Sequence, residues 1–106
     1  AQPLVSSLPA ENPVFAQIVA EFVEHLHQQL DELSHAIRED DVDAVARLSH
    51  DLAGSSGNVG FAELTEPARK LNQMARDREL THAESTYSEL VALASRIELP
   101  NQTANT

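Results

Sequence analysis

His50 is the residue of this chain best placed to do chemistry, and its setting is what marks it. It lies in Ser49-His50-Asp51-Leu52-Ala53-Gly54-Ser55-Ser56-Gly57-Asn58-Val59-Gly60, the stretch that holds all three glycines of a 106-residue protein. Imidazole titrates near neutral pH, so a form with a free nitrogen lone pair is well populated at pH 7 and can act as a nucleophile. Gly54 and Gly57 follow one and two helical turns on. Glycine inside a helix costs roughly 0.5–1 kcal/mol relative to alanine, so its presence here needs a reason. The reason read from the sequence is access. Small residues beside His50 let another protein approach it closely.

Helical projection supports that reading. At about 100° per residue, with Leu48 at zero, Val45, Leu48, Leu52, Ser55 and Ser56 fall within about 120° and form the expected buried stripe. His50 falls at roughly 200°, nearly opposite, and so in solvent. Its neighbours one turn away are Ala46, Arg47, Ala53 and Gly54, and Gly57 lies a turn further. A plainer reading makes it a surface histidine near a glycine-capped helix end. That is the reading given to His25, His27, His35 and His82, and Gly57 and Gly60 can equally be read as C-caps.

The elements that position this stretch read as four helices. Residues 1–11, with Pro3 and Pro9, read as a linker or N-terminal extension, in which Leu4, Val5 and Leu8 can dock as a short helix. Asn12-Pro13 is a helix start, an Asx cap before a first-turn proline. The first helix then runs to about Glu39 with a stripe of Phe15, Val19, Phe22, Leu26, Leu30, Leu33 and Ile37. Asp40 and Asp41 open the turn into a second helix over 42–56, and residues 57–60 turn into the third. The third carries Phe61, Leu64, Ala68, Leu71 and Ala75, with Met74 flanking and Pro67 inside. Pro67 implies either a kink, the preferred reading, or regular helix from Glu66 only. Thr81 and Glu84 read as a capping box for a fourth helix with the stripe Ala83, Tyr87, Leu90, Ala94 and Ile97, stopped by Pro100. Residues 99–106 read as a disordered tail. The fold expected over 12–98 is all-α, an antiparallel up-down-up-down four-helix bundle.

Composition narrows the function classes. The length suits one small domain, and with 4% aromatic residues its core must be aliphatic. Seventeen acidic against seven basic residues, a net charge of −10, argue against nucleic acid or an anionic membrane surface and for a protein partner with a basic patch. The chain has no cysteine, hence no disulfide framework or thiolate metal site. No apolar run approaches a membrane span, and nothing reads as a signal peptide. There is also no phosphate-binding loop, nucleotide fingerprint or aspartate-rich cluster at a metal spacing.

Residues 50–60 resemble the signature of histidine-containing phosphotransfer (HPt) domains: His, any residue, Leu, often Lys, Gly, two small residues, two variable ones, an apolar residue, Gly. His50, Leu52, Gly54, Ser55, Ser56, Val59 and Gly60 match; Ala53 stands where the family often has lysine, and Asp51 where a basic residue is common. The resemblance implies a phosphorelay intermediate, specifically the C-terminal module of a bacterial hybrid sensor histidine kinase. His50 would take a phosphoryl group from a receiver-domain aspartate and pass it to a response-regulator receiver. It implies that the receiver supplies the phospho-aspartate, Mg²⁺ and a lysine, while this chain holds no cofactor or metal. The chain is then a phosphocarrier, a monomer without kinase activity of its own, cytoplasmic and tethered wherever its parent kinase sits in the inner membrane. Transfer of this kind is chiefly positioning and charge stabilisation.

Supporting roles follow. Gly54 leaves room for the phosphate, and Ala46, Ala53 and Gly57 form the docking face. On the antiparallel third helix the level facing His50 is expected near Arg69, Lys70, Asn72 and Gln73; the resemblance gives Asn72 a hydrogen bond to the imidazole. Arg47, with Arg69 or Lys70, balances the phosphate charge in place of the lysine absent at Ala53. Two other readings compete. A helical adaptor could bind receivers without phosphotransfer, for which Asp51 and Ala53 are the only support. A bundle metal site from His25, His27 or His35 is weak, because no Glu-x-x-His pairs recur on facing helices.

Overall fold

Asn12 sets the start of the bundle. Its side-chain oxygen accepts the Val14 N–H at 2.9 Å, and Pro13 takes the first helical position, where a missing N–H costs nothing. In the computed structural model, which describes residues 2–9 and 11–99, helix α1 runs Pro13–Arg38, α2 Val42–Asn58, α3 Ala62–Arg76 and α4 Ala83–Ala94. Short turns at 39–41, 59–61 and 77–82 make successive helices antiparallel. Each helix backbone touches only its two neighbours in the cycle α1–α2–α3–α4–α1. This is the expected four-helix bundle.

The three turns share one solution. After each helix the chain places one residue at positive φ: Asp40, Gly60 and Arg78. The next amide then reaches back across the last turn: Asp41 N to Ala36 O at 2.9 Å, Phe61 N to Ser56 O at 2.9 Å, and Glu79 N to Met74 O at 2.8 Å. These are Schellman closures, which satisfy carbonyls the helix ends would orphan. Only the middle one uses glycine. Gly57, read as part of that turn, is instead helical, because the closure falls at Gly60 and α2 continues to Asn58.

The core is aliphatic apart from Phe22 and Phe61, whose rings stack at 5.6 Å between centroids. Val19, Phe22, Leu26, Leu30, Leu33 and Ile37 are buried along α1, and Leu64, Ala68, Leu71 and Ala75 along α3, as their spacing predicts. Phe15 is only half-buried, with Ala16 inside in its place. Helix α3 is continuous through Pro67, so a helix beginning at Glu66 is not what forms. Among the described residues, no helix is long and apolar enough to cross a membrane.

Three expectations are corrected. Thr81 and Glu84 make no capping box: His82 takes the N-cap position without a side-chain bond, while Thr81 Oγ1 donates to Glu79 Oε1 at 2.9 Å. Helix α4 ends at Ala94, so Ile97 lies beyond its stripe. There it forms an isolated parallel bridge with Leu4, held by Leu4 N to Arg96 O at 2.6 Å and Glu98 N to Leu4 O at 2.9 Å. The N-terminal segment therefore docks as an extended strap, not a short helix. Leu4 is buried and Leu8 packs against the core, whereas Val5 points out. Ser6 Oγ donates to the Val59 carbonyl and Ser7 N to Gly60 O at 3.0 Å, tying the strap across the α2–α3 turn. Leu99 packs against the core. The stop at Pro100 and the tail at 101–106 lie outside the described residues.

Candidate functional site

Helix α2 presents His50 from its middle, exposed to solvent. The buried side of the helix is Val45, Ser49, Leu52 and Ser56; Leu48 and Ser55, expected there, are only half-buried. Ser49, whose hydroxyl lies just past the edge of the expected stripe at about 100° from Leu48, is buried as well. Inside the bundle that hydroxyl is satisfied locally, donating to Val45 O at 2.6 Å, and the residue then packs like a small apolar one. Ser56 is likewise inside, bonded to Ala53 O at 3.2 Å and beside Thr65 Oγ1 of α3 at 3.2 Å. Re-centred on these four residues, the stripe puts His50 about 130° away instead of opposite, at about 100° per residue. His50 thus leans toward α3.

Two shallow depressions flank it, and His50 and Asn72 line both. One contains Asp43, Ala46, Arg47, Asp51 and Arg76. The other contains Ala53, Gly54 and Arg69. So Arg47, Arg69, Asn72, Ala46, Ala53 and Gly54 are brought to the histidine, as the sequence suggested. Lys70 and Gln73 line neither depression. Gln73 Nε2 donates instead to Asp77 Oδ1 at 3.0 Å, one turn along its own helix. Gly57 is exposed but lies beyond both depressions; a Cβ there would make ordinary contact with Thr65 Oγ1 at 3.6 Å.

Asn72 does something other than bond the imidazole. Its Nδ2 donates to the Ala46 carbonyl at 2.8 Å. In an α-helix that carbonyl also receives the N–H four residues on, here that of His50. Asn72 therefore pins α2 to α3 one turn before the histidine, fixing the backbone that carries the ring. Arg76 is the residue the sequence reading missed. The antiparallel register could have found it: Arg76 lies one turn beyond Asn72, just as Ala46 and Arg47 lie one turn before His50.

Electrostatically, the site is left unpaired. The ion pair among the described residues is His35–Glu39 on α1, at 3.9 Å, so Arg47, Arg69 and Arg76 are committed to no carboxylate there. Three of the chain's seven cations thus stand around one histidine in a protein of net charge −10. Gly54 is equally uncommitted. A Cβ built on it would meet nothing within 4 Å, and its φ is not positive, so neither packing nor backbone conformation requires glycine. His25, His27 and His35 are exposed on α1, and among the described residues no three His, Cys, Asp or Glu side chains are placed to hold a metal ion. An exposed nucleophile, open surroundings and nearby cations can accept an anionic group delivered from outside.

Compared with known families, residues 17–99 match the Hpt domain. Neither the curated proteins nor the solved structures gave a match.

Proposed function

The chain belongs to the Hpt domain family, with the histidine phosphotransfer role in a phosphorelay that this implies, and from that premise we propose that His50 is the phosphoacceptor. The observation that carries the assignment is Gly54. Beside this histidine, and none of the other four, stands a mid-helix glycine that the fold does not need and that leaves open space. In this reading an aspartyl phosphate of a receiver domain is the donor. The imidazole lone pair forms the N–P bond, the P–O bond to the aspartyl carboxylate breaks, and the carboxylate leaves with the electron pair. Transfer onward to a response-regulator receiver reverses these bonds on a second aspartate. Mg²⁺ and a lysine belong to the receiver. This chain's residues orient the ring through the Asn72–Ala46 bond and offer cations to the arriving group. The partners are receivers of a hybrid kinase and of its response regulator, met by a monomer on the cytoplasmic side.

Incubation with a phosphorylated receiver tests this. Acid-labile, base-stable label is expected on the wild type and none on His50→Gln, with an unchanged helical circular dichroism spectrum because the side chain is exposed. Label that survives His50→Gln overturns the assignment. Receiver binding without any label would favour the adaptor reading.

A further inference from the structure

The two depressions beside His50 differ in charge. In one, Arg47 and Arg76 face Asp43 and Asp51, two cations against two anions. Arg47 has both aspartates one turn away on its own helix, at Asp43 and Asp51. The other depression has Arg69 and no carboxylate, and its α2 wall is Ala53 and Gly54, the two short side chains that leave it open. A dianionic group bonded to the His50 ring has a neutral site on one side and a cationic one on the other. Resting on the assignment of His50 as phosphoacceptor, we infer that the phosphoryl group is held on the Gly54 side by Arg69, a cation supplied across the helix pair from α3. Arg69 forms no ion pair among the described residues, so its guanidinium is available to take phosphate oxygens in a fork. Arg47 and Arg76, each sharing its depression with carboxylates, are secondary.

The test needs no partner protein. Phosphoramidate phosphorylates imidazole directly: the ring lone pair bonds phosphorus, the donor's P–N bond breaks, and ammonia leaves with that electron pair. Labelling at His50, taken as the signal that His50→Gln lacks, is followed by ³¹P NMR in the wild type, Arg69→Ala, Arg76→Ala and the double variant Arg69→Ala/Ala53→Lys. Arg69→Ala is expected to label about three- to tenfold more slowly at low salt, with the gap closing as ionic strength rises, since an exposed guanidinium acts through a screened field. Arg76→Ala should cost less. Ala53→Lys should restore the rate, because residue 53 lines the same depression and a lysine there returns the missing charge. Unaltered labelling in Arg69→Ala, a larger loss in Arg76→Ala, or a loss that Ala53→Lys does not restore overturns the inference. Absence of label on the wild type would instead remove the phosphoacceptor assignment on which it rests.

Discussion

Gly54 and Gly60 stand six residues apart in one stretch, and the fold treats them in opposite ways. Gly60 has φ +85°, and a Cβ on it would lie 2.7 Å from Ser7 N and from the Ser6 and Ser7 hydroxyl oxygens. It is glycine because the α2–α3 closure needs the left-handed region and because the strap crosses directly above it. Gly54 has neither constraint: ordinary helical backbone and nothing within 4 Å. One glycine is explained from within the molecule; for the other the fold supplies no reason. The same contrast separates the two regions around them. The strap end is closed by Leu4, Leu8, Phe61 and Ile97, whereas the His50 face keeps its arginines free of ion pairs among the described residues.

The largest effect that could break this comparison is on stability at the closed end. Gly60→Ala should cost roughly 2–5 kcal/mol, combining about 1–2 kcal/mol for a left-handed alanine with about 1–3 kcal/mol for overpacking against the strap. Urea unfolding measures it, and a loss below about 1 kcal/mol would mean the strap does not sit tightly on the turn. Leu4→Ala comes next, at about 2–3 kcal/mol for a buried leucine whose site can partly collapse. Both variants should still accept phosphate on His50 while folded, since the strap lies about ten residues, or roughly 15 Å of helix, from the histidine. A variant that folds yet loses acceptance would show that the two regions are coupled.

How far the sequence spoke depends on which physical signal carried each feature. The helices of the bundle were legible because leucine, isoleucine, valine and phenylalanine at three-four spacing report burial directly, as along Val19–Ile37 and Leu64–Ala75. Ser56 falls inside the expected stripe, whereas Ser49, about 100° from Leu48, falls just past its edge, and only the packed helix shows that its hydroxyl, bonded to Val45 O, goes inside. Residues 1–11 read as a linker or extension, with a short helix as one way for Leu4, Val5 and Leu8 to dock, and nothing nearby in the sequence marks a strap. Its actual partners, residues 96–98 and the Gly60 turn, are more than fifty residues away in sequence and leave no local trace. The capping box fails for the opposite reason, a local competitor: Thr81 Oγ1 donates to Glu79, two residues away. At the site, His50 with its small neighbours was legible, as was the level of α3 opposite. Arg47 and Arg69 were among the cations named; that Arg76 reaches the histidine and Lys70 does not was illegible, because they differ in rotation about α3 and only the packed pair fixes that rotation.

The smallest stability effect is the most informative for function, because it has the opposite sign. Gly54→Ala should raise stability by roughly 0.5–1 kcal/mol, the ordinary gain of replacing an exposed mid-helix glycine. Gly54→Leu should keep that gain, since the side chain extends into open space. Its cost appears only when another protein arrives. Phosphoryl transfer from a receiver domain should fall about tenfold or more through steric block at the docking face, whereas labelling by phosphoramidate, a donor of a few atoms, should fall less, by no more than in Arg69→Ala, because the leucine crowds only the Arg69 depression. Unchanged receiver transfer in the leucine variant would mean that nothing approaches α2 closely at this point. Gly54 would then be a glycine without a reason, and the contrast with Gly60 would say nothing about where the partner binds.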